Sequence, residues 1–166
     1  GVSAASIALV LTQNNKIALR ASGSASFSGD NFASFSATSV ALAYNDTGVD
    51  YSGVTLTIGS LSANLEVAVG YSSVEIIGLS VELSGFARFG GDFSFEKTSS
   101  EILVVSSNAF VQFEAGNYRV GVAAAELTLI LKSDNTLALY ASGSAVFQGD
   151  SIASVTGTAT VRYNDT

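Results

Sequence analysis

The sequence predicts an all-β protein without helices, a long antiparallel meander wound or stacked into an elongated repeat rod of β-solenoid or β-sandwich kind. Three observations lead there. Apolar residues alternate with Ser and other polar residues at a period of two, the signature of half-buried strands. The alternating runs are separated by short clusters of Asn, Asp, Ser and Gly, which favour tight turns. Pro is absent from all 166 residues, as suits a chain that is nearly all strand, because Pro removes a ladder hydrogen bond.

The elements follow in order. Ile7, Leu9 and Leu11 mark a first strand, and Gln13-Asn14-Asn15-Lys16 a hairpin turn. From 17 to 27 the odd positions read Ile17, Leu19, Ala21, Gly23, Ala25, Phe27, and the even ones Ala18, Arg20, Ser22, Ser24, Ser26. That apolar face is large at both ends and small in the middle, which predicts a close-packed opposing layer or a bend. Gly29-Asp30 marks the next turn.

In the third run Phe35 and Ala37 are odd, whereas Val40, Leu42 and Tyr44 are even. A one-residue slip turns half a strand's apolar groups to water unless a bulge absorbs it, so a β-bulge is expected within Ala37 to Val40. A second phase change, from Val74 and Ile76 to Leu79, Val81 and Leu83, predicts another near Ile77-Gly78. Asn45–Gly48 reads as a turn. The rhythm continues through Val54/Leu56/Ile58, Leu65/Val67/Val69, Phe93/Phe95, Val111/Phe113 and Tyr118/Val120/Val122, with turns at Glu96–Ser100 and Glu114–Asn117. Leu127, Leu129 and Leu131 lead into the Ser133–Thr136 turn, Leu137 to Phe147 repeats the alternation of 17–27, and Val155 to Tyr163 stays in phase.

The chain also repeats itself. The pattern S-G-x-A-x-F-x-G-D begins at Ser22, Ser84 and Ser142. Residues 1–30 and 121–150 share 17 identities in 30 ungapped positions, and Tyr44-Asn45-Asp46-Thr47 returns as Tyr163-Asn164-Asp165-Thr166. Residues 1–120 therefore read as one full repeat and 121–166 as the start of the next. The middle copy, near the half-way point, hints at an older duplication. Neither end carries the atypical cap expected of a terminal repeat, so a stretch of a longer tandem array is expected.

Composition narrows the function classes. The chain has no His and no Cys, which removes most nucleophilic, acid–base and transition-metal constellations. No catalytic, cofactor-binding or metal residue is assigned, and no cofactor or enzymatic activity is expected. A net charge of −7 with seven scattered basic residues argues against nucleic acid, whose phosphates need clustered Lys and Arg. No apolar run has membrane-spanning length, so no membrane insertion is expected. Asp30, Asp92 and Asp150 each follow Gly and read as Asx-type turns; Asp134-Asn135 and Asn45-Asp46 are too sparse for calcium. Asn45 and Asn164 stand in N-x-T triplets that turn chemistry explains as well as glycosylation does. Thr55-x-Thr57 and Thr156-x-Thr158-x-Thr160 offer short Thr ladders of ice-binding type. Tyr44 and Tyr163 have the amphipathic rings that stack on sugars or anchor the rim of a core.

The stretches S-G-F-A-R-F-G-G-D-F-S-F-E-K-T (Ser84 to Thr98), A-E-L-T-L-I-L-K-S-D-N-T-L-A-L-Y-A-S-G (Ala125 to Gly143) and G-T-A-T-V-R-Y-N-D-T (Gly157 to Thr166) resemble the repeat unit of giant tandem-repeat bacterial exoproteins. The region Val49 to Ser80 departs most from that pattern. The resemblance implies an extracellular or cell-surface module of a fibre, filament or coat, partnered by neighbouring repeats or identical chains. The alternative is an adhesin stalk that binds glycan or a surface.

Overall fold

The computed structural model describes residues 1–29, 33–149 and 154–166. Among these residues the chain is all-β, with 75% in strands and no helix. The strands are β1 (Val2–Leu11), β2 (Ile17–Gly29), β3 (Ala33–Asn45), β4 (Thr55–Ile58), β5 (Leu61–Asn64), β6 (Ser72–Leu83), β7 (Ala87–Lys97), β8 (Glu101–Ala115), β9 (Tyr118–Lys132), β10 (Leu137–Gln148) and β11 (Ser154–Asn164). Nine of them form one antiparallel sheet in the order β1-β2-β3-β6-β7-β8-β9-β10-β11. The expected meander is present, and the sheet stays open, not closed into a barrel. Strands β4 and β5 pair only with each other, as a hairpin inserted between β3 and β6.

Turn chemistry fixes the hairpins. Asn15 and Asn135 adopt left-handed backbone, φ 58° and 68°, which Asn tolerates better than most residues. Their amides donate to the carbonyls of Thr12 and Lys132 at 3.1 and 3.0 Å. The turn expectations at Gly29-Asp30 and Gly149-Asp150 involve Asp30 and Asp150, which lie outside the described residues.

Both expected bulges are present. Ser24 of β2 faces two residues of β3, Thr38 and Ser39, while β10 and β11 run in unbroken register. Ile77-Gly78 of β6 faces Asp92 of β7. Three more bulges join them: Ala4-Ala5 of β1 opposite Gly23, Asn108-Ala109 of β8 opposite Gly91, and Ala124-Ala125 of β9 opposite Gly143. Each bulge bends its strand and increases local twist, so together they make a crease across the sheet. The bulges leave little room for a side chain at the glycines they face. A Cβ on Gly143 would come within 2.9 Å of Val122 Cγ1, and one on Gly23 within 3.2 Å of the Ser3 carbonyl oxygen.

The enclosed core is small and one-sided. Segment 49–71 folds over the polar face at β1–β3, where Leu65 and Val67 bury completely against Ala8, Ala18 and Ala43. Two expectations are corrected here. Leu65/Val67/Val69 is not a strand: Glu66 has φ 41°, and that kink lets the flanking pair point together into the core. The middle S-G-x-A-x-F copy does not occupy the place of the other two. Ser84-Gly85-Phe86 makes the β6–β7 turn, where Gly85 has φ 69°, whereas Ser22-Gly23 and Ser142-Gly143 lie mid-strand.

Candidate functional surface

Cross-strand partners in a sheet share a face, so the registers divide the side chains. One face collects Ile7, Leu9, Leu19, Leu42, Val74, Phe95, Val104, Leu129, Leu139 and Tyr163 along one flank of the crease. Phe27, Phe35, Val81, Phe89, Val111, Val122, Phe147 and Val155 line the other flank. Between them runs a valley of Ala and Gly. Nothing in the chain covers this face among the described residues: Leu9 is 54% exposed, Phe27 61%, Val161 56% and Phe95 43%. A sheet face this apolar and this bare departs from the usual monomer surface.

The valley deepens into two apolar depressions at equivalent places. One, of about 230 Å³, is lined by Ala5, Ile7, Ala21, Gly23, Ala25 and Leu42. The other, of about 400 Å³, is lined by Ala125, Leu127, Ala141, Gly143, Ala145 and Val161.

That equivalence extends to the whole register. Ile7↔Ala21, Leu9↔Leu19 and Leu11↔Ile17 recur as Leu127↔Ala141, Leu129↔Leu139 and Leu131↔Leu137. Beyond the bulge, Val2↔Ala25 recurs as Val122↔Ala145. Phe27↔Phe35 recurs as Phe147↔Val155, and Leu19↔Tyr44 as Leu139↔Tyr163. The two related segments thus take up the same pairing six strands apart in one sheet. The inner one is flanked by β8, whereas β1 has an open edge among the described residues.

The opposite face is polar. Asn45 is buried there, and its Nδ2 donates to the carbonyls of Val49, Val67 and Ala68 at 2.8, 3.2 and 3.0 Å. Its Oδ1 accepts from the Thr47 amide and hydroxyl. The triplet is therefore an anchor for the 49–71 segment, and the enclosed amide nitrogen of Asn45 has no room for a glycan. Asn164 makes the same local turn with Thr166 and is exposed.

Asp92 corrects its expectation as an Asx turn. It sits mid-strand in β7, accepting from the Gly78 amide at 2.8 Å and the Asn108 side chain at 3.1 Å, and so ties the bulges of β6 and β8 together. The Gly78 bond first, then Asn108, holds its carboxyl below the usual 3.8. Among the described residues no three or more acidic groups converge as a metal site.

The remaining polar candidates are engaged locally or lie apart. Thr55 and Thr57 bond across the hairpin to Asn64 and Ser62 at 2.9 Å each. Thr156, Thr158 and Thr160 are exposed on β11, and Thr160 meets Ser142 at 3.3 Å. Tyr44 and Tyr163 end the apolar face, 36% and 52% exposed. A cleft of about 350 Å³ beside the hairpin holds Arg20, Glu66, Tyr71 and Glu75, but Arg20 bonds the Glu66 carbonyl and the Tyr71 hydroxyl bonds Glu96. The sequence had flagged the alternation that builds the apolar face, but not that the face would stay bare. No family model, curated protein or solved structure matches this chain.

Proposed function

We propose that the chain is a structural tandem-repeat module of an extracellular bacterial fibre, filament or surface coat, mechanical and not catalytic. The observation that carries this reading is the recurrence of one register, bulge included, six strands along a single open sheet. A unit that rebuilds its own first strands next to its last ones is suited to head-to-tail extension, each repeat adding six strands. Spaced about 4.8 Å apart, these lengthen the array by roughly 29 Å. The extracellular or cell-surface location in this reading follows from the resemblance to tandem-repeat exoproteins.

Electron microscopy of the native material tests this. Regular filaments support it. Isolated stalks with a distinct tip favour the second reading, adhesion to glycan or a solid surface, for which the exposed Thr156, Thr158 and Thr160 row speaks. Deletion of a unit equivalent to 1–120 that leaves assembly intact and unshortened contradicts the structural role.

A further inference from the structure

We infer that the bare apolar face is covered by the same face of a second copy of this chain, two sheets packing face to face with their charged faces in water. This deepens the structural reading above, on which it rests for the kind of assembly, and it draws on three observations of its own.

The first is area. The chain exposes 10452 Å², whereas a compact monomer of 16.9 kDa exposes about 7,700 Å². The surplus of about 2,700 Å² per chain, about 5,400 Å² for a pair, lies at the upper end of obligate interfaces, which bury roughly 2,000–5,000 Å² or more in total. A rim contact or a single docked peptide is too small to absorb it.

The second is charge. Among the described strands, Lys97 at a strand end is the one charged side chain that shares the apolar face, through its pairing with Ile102. Arg20, Glu75, Glu82, Arg88, Glu126 and Arg162 all pair into the opposite face. Copies carrying −7 each repel unless their charges are kept apart. Contact through the apolar faces puts them on the two outer surfaces. Burying an unpaired charge is costly, so a partner for this face must itself be nearly free of charge there, and a second copy is, apart from Lys97 at the strand end.

The third is shape. Large side chains flank a valley of Ala and Gly that deepens at Gly23 and at Gly143. Aligned sheets pack about 10 Å apart with side chains interdigitating, and a flank of one copy has the bulk that the valley of the other lacks.

Sedimentation of the 166-residue chain decides it, with Phe95→Lys as the probe. Phe95 lies on β7, in the middle of the sheet, and points out of the apolar face. The wild-type chain is expected to be a dimer, and Phe95→Lys to weaken association at least about 100-fold while keeping its far-UV sheet signal. Ser94→Lys, one residue along on the opposite face, is expected to leave the mass unchanged. If Phe95→Lys loses its sheet signal, Phe95→Thr, weakened about 10-fold, takes its place. The hydrophobic dye anilinonaphthalene sulfonate gives a reading on the wild type alone: it should bind weakly, because the face is covered.

A monomeric wild-type chain overturns the inference, as does an oligomer that binds the dye strongly. Oligomers indifferent to Phe95→Lys show association through strand edges instead, which sinks this inference and leaves edge-wise extension standing. Recruitment of monomers to phosphatidylcholine–phosphatidylglycerol vesicles assigns the face to lipid and also overturns it.

Discussion

Ala4 and Ala124, 120 positions apart, share the same left-handed backbone, with φ 51° and 48°. Each opens a two-residue bulge against a glycine of the next strand, Gly23 and Gly143. Left-handed backbone costs a residue with a Cβ roughly 1–2 kcal/mol. Gly relieves that strain but adds freedom to the unfolded chain, about 0.4–1 kcal/mol. Ala124→Gly should therefore stabilise modestly, by about 0.5 kcal/mol, and Ala124→Val should destabilise by about 2 kcal/mol or more. Urea midpoints measure both. A stabilising valine would mean the bulge is not held as described.

Gly1 and Gly121 are equivalent in sequence but not in surroundings. A Cβ on Gly121 would lie 2.1 Å from the Val111 carbonyl oxygen of β8, while one on Gly1 meets nothing within 4 Å. Gly121→Ala is expected to cost about 3 kcal/mol or more, and Gly1→Ala less than about 0.5 kcal/mol. In a chain with another unit joined ahead of Gly1, the proposed extension makes the two substitutions equally damaging. Thermal unfolding of the four variants checks this.

Asn45→Ala removes a buried amide that serves three carbonyls and accepts two donors. The stranded carbonyls make a loss of about 3 kcal/mol the expected outcome. Hydrogen exchange should rise first at the amides of Tyr51 and Leu65, whose bonds hold segment 49–71 together. Asn164→Ala, at an exposed side chain, should change stability little in this chain.

The carboxyls of Asp50, Asp92 and Asp134 all lie below their ordinary value, held there first by a side-chain bond from Ser52, the Gly78 amide and a side-chain bond from Thr136 respectively. A depressed folded value means the unfolded chain binds the proton more readily. The stabilisation is therefore full above the unfolded pKa and fades as pH falls through the folded one. Stability should decline from roughly pH 5 downward. Asp92→Asn should lower stability at neutral pH and flatten that decline, because the tie between Gly78 and Asn108 loses its charged acceptor. An unchanged slope contradicts the role given to Asp92.

The meander, the turns at Asn15 and Asn135 and two of the bulges were legible because each leaves a mark in the sequence: Val40 and Leu42 fall out of phase with Phe35, and Leu79 with Ile76. The same mark stands at β9, where Val120 and Val122 are even but Leu127 and Leu129 odd, and at β8 between Val104 and Val111. It is faint because the bulging residues, Ala124-Ala125 and Asn108-Ala109, are small or polar and belong to either face. The covering segment was not legible. Leu65 and Val67 alternate like a strand, yet Glu66 between them adopts a left-handed kink, and tertiary burial, not local preference, selects it. Asp92 escaped because its partners Gly78 and Asn108 are 14 and 16 residues away and meet it only through the bulges.

Small-angle scattering from chains of one, two and three joined copies of 1–120 tests the central claim most directly, that one sheet runs on through successive units. The expected result is a linear gain of roughly 29 Å per copy at constant cross-section, with an unfolding midpoint that climbs as copies are added. Copies that scatter as separate beads, with a midpoint indifferent to their number, would contradict it.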